Sequence, residues 1–233
     1  VYAATAKEVT VMQKASSFDL KKWWKSVLDE GIRFPLYMMG KPFKAFSDIK
    51  YENKGSLPAC ITFLFILMLL SVLCQSYTGA IFTKIDPRYM NIWMTMAGVL
   101  IQTVLLCVAN WSVSVLTNGS GSFKEIFMVA MYAQYPYMWL RALYLVLSHV
   151  LSLEEAPLLN FCMSLAIIGI VFYGFIGLVS VHGYGFFQGI ASVIFTVIAL
   201  VIIIFVILML VSMGSELVSF VQTVGREIVL HYF

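Results

Sequence analysis

At 233 residues, with 61% hydrophobic and 12% charged residues and a mean hydropathy of +0.91, the chain is far from the composition of a soluble domain, about half apolar and about a quarter charged. This balance points to an all-α integral membrane protein. The net charge of +3 is small, but ten of the fifteen Lys and Arg precede residue 57, so a basic head leads into a nearly neutral remainder and no nucleic-acid partner is expected.

Residues 1 to 17 are small and polar, and are expected to be ordered only by a partner. The chain opens on Val1, which leaves open whether residues precede it, and Val1 to Ala4 resemble the small-residue end of a signal peptide but lack its apolar stretch. Asp19 can cap a helix to about Glu30 that sets Leu20, Trp23, Trp24, Val27 and Leu28 on one face beside Lys21, Lys22 and Lys25. Such a helix lies in a membrane surface or packs on a partner protein. A second amphipathic helix starts at Pro42, with Phe43 and Phe46 expected to enter the membrane surface while Lys44 stays in water.

Asn53 to Ser56 breaks that helix, and Ser56 with Pro58 starts a first span over about Leu57 to Ser76. An exposed turn from Thr78 to Arg88 leads to span two, about Met90 to Leu116, which carries Gln102 and Asn110. The linker Asn118 to Ser122 ends it, and Ser122 can cap span three, Phe123 to about Val150. After a turn at Leu151 to Pro157, span four covers about Leu158 to Val181 and His182 to Gly185 turns the chain back. Span five includes Ile190 to Val211, which holds no charge, Gly or Pro and is long enough to cross a hydrocarbon core of ~30 Å. Glu216 to Phe233 then extends span five or bends along the membrane surface. Five spans with a basic head predict a cytoplasmic amino terminus and an external carboxyl terminus.

Phe34 to Tyr37, followed by Lys41 to Ser56 immediately before span one, resembles the corresponding segment of bacterial YIP-family membrane proteins, relatives of the Rab-interacting Yip proteins of the Golgi. Tyr132 to Tyr137, Ser122 to Glu125 and His182 to Gly189 are similar to the family in the same order. The resemblance implies a five-span domain over 33–225, after an amino-terminal segment 1–32 and before a tail 226–233. It also implies a non-enzymatic role in organising membrane proteins or lipids, and suggests association with ABC-type sugar uptake systems.

Arg141 is the one full charge within a span; it either grips an anion or reaches toward the outer headgroups near His149 and Glu154. Pro136 is expected to kink span three, exposing a carbonyl near Tyr132 that Gln102 or Asn110 can satisfy. Gly185 and Gly189, with Gly174 and Gly177, predict a tight hairpin of spans four and five. His182 has no partners for a metal site, and Cys60, Cys74, Cys107 and Cys162 lack paired spacing. Without a catalytic motif, no enzyme activity, metal or cofactor is expected. The two functions left are a scaffold or adaptor docking laterally on other membrane proteins through Trp23, Trp24, Phe43, Phe46 and Lys44, and a small transporter or channel acting as a homo-oligomer.

Overall fold

Proline marks the start of five of the eight α-helices among the described residues, because it lacks the N–H that a first turn leaves unpaired. The computed structural model describes residues 29–52, 54–79, 81–82 and 90–232, with side chains from 31 to 227. The helix expected around Trp23 and Trp24, and the turn carrying Lys84, Asp86, Pro87 and Arg88, lie outside these residues. Every regular element among the described residues is helical.

A wide helical turn, Asp29–Arg33, runs into α1 (Phe34–Gly40), and α2 (Pro42–Tyr51) follows after Lys41. The long helices are α3 (Leu57–Tyr77) and α4 (Ile92–Leu116), then come the shorter α5 (Phe123–Ala133) and α6 (Tyr135–Leu147). A single 3-10 turn, Leu153–Glu155, precedes α7 (Ala156–His182), and α8 (Phe186–Tyr232) completes the chain. Pro35, Pro42, Pro58, Pro136 and Pro157 each fall in a first turn. Ser122 and Glu125 form a reciprocal capping box at the start of α5, as the sequence predicts. Ser56 behaves differently: its hydroxyl makes no cap bond, and its backbone N–H instead donates to the Tyr132 hydroxyl at 3.1 Å.

Among the described residues, four helices are long and apolar enough to cross a membrane: Leu57–Tyr77, Ile92–Leu116, Leu153–His182 and Phe186–Glu227. The third expected span is two helices of 11 and 13 residues, each short of the ~20 residues a crossing needs. Pro136 is the cause, but it starts α6 instead of bending one continuous helix. Lacking an N–H, it cannot bond the Tyr132 carbonyl, so the ladder tightens one residue earlier, where Gln134 N–H donates to the Met131 carbonyl at 3.2 Å. That step frees the Ala130 carbonyl, which accepts from Gln134 Nε2 at 3.2 Å. The Gln134 side chain thus serves the Ala130 carbonyl while its backbone N–H also reaches the Tyr132 carbonyl, and neither Gln102 nor Asn110 takes part.

Contacts along the helices give their relative directions. Gly121 meets His182, Val129 meets Gly177 and Pro136 meets Gly169, so α5 and α6 in tandem run antiparallel to α7 along much of its length. Against α3 they run parallel, from the Ser56 contact with Tyr132, through Phe63 with Tyr135, to the Cys74 Sγ contact with the Arg141 carbonyl and Gly79 N–H donating to Ser148 Oγ. Between α4 and α8, Thr117 meets Gln188 and Asn110 meets Thr196, an antiparallel pair. One end of the bundle, the head end, gathers Lys50, Ser120, His182 and Tyr184; the far end gathers Thr78, Gly79 and Ser148.

The main core sits toward the head end, where α1 and α2 close over α3, α5, α6 and α7 with Met38, Phe46, Phe63, Met131, Tyr132 and Ile176 all buried. Tyr132, 0% exposed, packs edge-on against Phe34 and Phe63 at centroid distances of 4.9 and 5.8 Å. Gly55 has φ +99°, and a Cβ there would lie 3.3 Å from the Tyr132 ring, so both conformation and space require glycine at the turn into α3. Phe46 belongs to this core at 0% exposure, whereas Phe43 is 64% exposed and Lys44 is exposed. The two phenylalanines therefore do not share a membrane-facing stripe. The Ala45, Phe46 and Ile49 face of α2 is turned onto the protein, because α7 offers a glycine, Gly177, into which the Phe46 ring fits.

Candidate functional site

The polar residues inside the helices assemble into two separate clusters, one at each end of the bundle. At the head end, α7 terminates at Gly183, whose φ of +72° is the left-handed conformation that glycine adopts without strain. Gly183 and Tyr184 both donate from their backbone N–H to the Val179 carbonyl at 3.0 Å. This tight turn lays the Tyr184 ring flat on His182, with centroids 4.9 Å apart and planes 16° from parallel.

His182 is 3% exposed and its hydrogen bonds run in one direction. Gly121 N–H can only donate, so His182 Nδ1, 3.3 Å away, accepts and the neutral ring carries its proton on Nε2. Nε2–H donates to Asn110 Oδ1 at 3.0 Å, and Asn110 Nδ2 donates to Thr196 Oγ1 at 3.1 Å. Thr196 Oγ1 in turn donates to the Ser192 carbonyl at 2.8 Å. One relay thus links the loop after α4, the end of α7, the last two turns of α4 and the first turns of α8. The imidazole, the Asn110 carboxamide and the Thr196 hydroxyl each have a partner, the condition under which such a network stabilises a structure, whereas the Ser192 hydroxyl beside them is buried without one.

Lys50 fastens the head onto this relay. Its Nζ donates to the Val181 carbonyl at 2.5 Å and to Ser120 Oγ, while Ser120 Oγ donates to the His182 carbonyl at 3.1 Å. An ammonium at the carboxyl end of α7 also faces the negative end of that helix dipole. The linker before α5 reaches the imidazole only because it is glycine-rich: a Cβ on Gly121 would lie 2.8 Å from His182 Cε1, and one on Gly119 would collide with the Tyr184 hydroxyl. His182 is thus a tether between helices, a role that periodicity and motif gave no sign of; the nearest signal was the pairing of two glycine-bearing turns, 118–122 and 182–185.

Next to the relay lies an apolar cavity of about 320 Å³ between α4, α5, α7 and α8, with Gly174 in its wall and Asn110, His182 and Thr196 at one end. Gly174 therefore makes space instead of a helix contact, and a Cβ on Gly185 would meet nothing within 4 Å. The other two glycines are at close approaches. Gly177 faces Val129 of α5, where a Cβ would lie 2.5 Å from Cγ1, and Phe46 of α2; Gly189 faces Val179 and Phe175 of α7. Only Gly189 serves the expected hairpin of α7 and α8, because α8 has its main contact along α4.

The second cluster is at the far end. A cavity of about 620 Å³ between α3, α4, α6 and α7 is lined by Gln75, Thr78, Thr95, Gln102, Arg141 and Asn160 among others. Arg141 is half-buried and does not extend toward His149 and Glu154. Side chains on a helix tilt toward its amino terminus, and Arg141 Nη1 donates to the Tyr137 hydroxyl one turn back at 2.5 Å, with its guanidinium 5.5 Å from that ring centre. Thr95 Oγ1 donates to Gln75 Oε1 at 2.5 Å, which turns the Gln75 amino group away from Thr95. Glu155, for its part, closes a capping box with Ser152. Gln102 thus joins Arg141, whereas Asn110 belongs to the other cluster.

The ion pairs among the described residues are in the head, where exposed Lys54 lies 3.2 Å from Asp48 and 2.5 Å from Glu52. Hydrogen bonds to Glu52 and then Asp48 hold the Lys54 ammonium above its ordinary pKa. No group of three or more metal-binding side chains occurs among the described residues.

In comparison with known protein families, residues 36–213 match the Yip1 domain. No curated protein and no solved structure matches the chain.

Proposed function

The chain belongs to the Yip1-domain family, and from that premise we propose that this multi-pass membrane protein is a non-enzymatic scaffold or adaptor that docks laterally on other integral membrane proteins. The observation that carries the reading is the length of α8. Its 47 residues extend ~70 Å at 1.5 Å per residue, against ~45 Å for a bilayer with its headgroup regions. Even a tilt of ~40°, the upper end of the usual range, leaves about two turns beyond the membrane.

Packing supports the same conclusion. From Ile204 to Glu227 every residue of α8 is exposed, including Leu217, Val218, Phe220, Val221 and Val224. With α8 near the membrane normal, ~30 residues cross the bilayer and the turns carrying Leu217 to Val224 emerge into water, where an apolar helix surface is a contact site. The partner in this proposal is a membrane complex such as an ABC-type permease with its ATPase, in a bacterial cell membrane. In a mild-detergent pull-down, the full chain is expected to recover such subunits stoichiometrically, and a chain ending at Gly214 to lose them at least tenfold while still inserting. Equal recovery by both chains overturns α8 as the docking element. A pure homo-oligomer that moves solute in liposomes favours a transporter instead.

The same proposal takes α5 and α6 together as a fifth crossing, since they run alongside α7, and places the basic head in the cytoplasm with α8 leaving on the outside. A single cysteine at Glu154, in a cysteine-free background, is expected to react with an impermeant maleimide added to intact cells, and one at Lys44 only after lysis. The reverse labelling pattern inverts the orientation.

A further inference from the structure

We propose that the far-end cavity around Arg141 is a binding site for a phosphate group, the chemistry shared by a phospholipid headgroup and a free phosphate ion. Arginine carries five N–H donors in a planar fork, and the Tyr137 hydroxyl takes one of them. No carboxylate pairs with Arg141 among the described residues; the Cys74 thiol donates to its backbone carbonyl and also meets the guanidinium, which keeps further N–H donors for an anion. A cation held among apolar helices is costly unless an anion or water meets it, and the cavity provides the room.

Chemistry of the lining selects the anion. The carboxamides of Gln75, Gln102 and Asn160 share the cavity with Arg141, and no Asp or Glu lines it. Donors thus approach from α3, α4, α6 and α7, an arrangement suited to the several oxygens of a tetrahedral phosphate, with the arginine fork supplying paired hydrogen bonds. Depth agrees as well: Gln75, Thr95 and Asn160 each lie within four residues of a helix end, ~6 Å along the axis, where lipid phosphates are found. A phosphodiester carries one negative charge, matching the single positive charge of the site.

The test uses the purified full chain in detergent, with thermal unfolding and native mass spectrometry as readouts. Three probes are added separately: phosphatidylglycerol, diacylglycerol and inorganic phosphate. Phosphatidylglycerol is expected to raise the unfolding temperature by several degrees and to remain bound, with diacylglycerol inert, at least tenfold weaker binding in Arg141→Met and partial retention in Arg141→Lys. An equal rise with millimolar inorganic phosphate supports the site with a free ion as its ligand. Arg141→Met responding like wild type, diacylglycerol matching phosphatidylglycerol, or neither phosphate probe having an effect overturns the proposal. Should Arg141→Met fail to elute as a folded species, Gln102→Leu and Asn160→Leu keep the charge and remove donors. Each is expected to weaken binding threefold to tenfold, and unchanged binding in both overturns the site.

Discussion

Replacing Phe46 with alanine is expected to destabilise the protein by about 3 to 5 kcal/mol, the usual range for emptying a buried aromatic site, whereas Phe43→Ala is expected to stay within about 0.5 kcal/mol. The asymmetry follows from exposures of 0% and 64% on the same helix. Phe46 fills the space over Gly177, where a Cβ would already lie 3.0 Å from its Cε1 atom, so truncation leaves a void that α7 cannot close by itself. Thermal unfolding in detergent measures the difference, and limited proteolysis at Lys44 and Lys50 reports whether α2 has come away. Two equal, small effects would show that α2 is not docked through Phe46.

His182→Phe is expected to cost about 2 to 6 kcal/mol, taking about 1 to 3 kcal/mol for each buried polar group left unpaired. Phenylalanine keeps a flat ring for Tyr184 to stack on, but orphans the Gly121 N–H and Asn110 Oδ1. Because Asn110→Leu removes one of those orphans, the double variant is expected to be less destabilised than the sum of the two singles, the signature of direct coupling. Strict additivity in the unfolding temperatures would mean that the two side chains do not share a hydrogen bond. Lys50→Met acts on the same junction from the head side, since Lys50 holds the Val181 carbonyl and Ser120.

These two residues mark the limit of pattern reading. Phe43 and Phe46 are equivalent in hydropathy and sit on the same turn, so the α2 sequence predicts one apolar stripe; which phenylalanine is covered depends on where α7 carries a glycine. His182 reads as a turn residue because its partners, Gly121 and Asn110, are 61 and 72 positions away along the chain. Pro136 was legible as a break, but the Gln134 hydrogen bonds that serve it were not, since a local rescue and a long-range one have the same cause. Arg141 and Gln102 stood out as intramembrane polar groups, and their meeting in one cavity required the antiparallel placement of neighbouring helices.

Membrane insertion, the starts of most helices and the family are legible in the residues alone, whereas the end of α8 and the division of the third expected span are not. The legible properties depend on local composition, on prolines in first turns and on caps such as Ser122 with Glu125, all within a few residues of one another. The tertiary structure decided which face of α2 is buried, which helix α8 follows, and how the polar side chains divide into a closed relay at one end and an open cationic cavity at the other. In a bundle whose surfaces are nearly all apolar, hydropathy does not distinguish one neighbour from another; small residues and hydrogen-bond direction do, and both act between segments far apart in the chain.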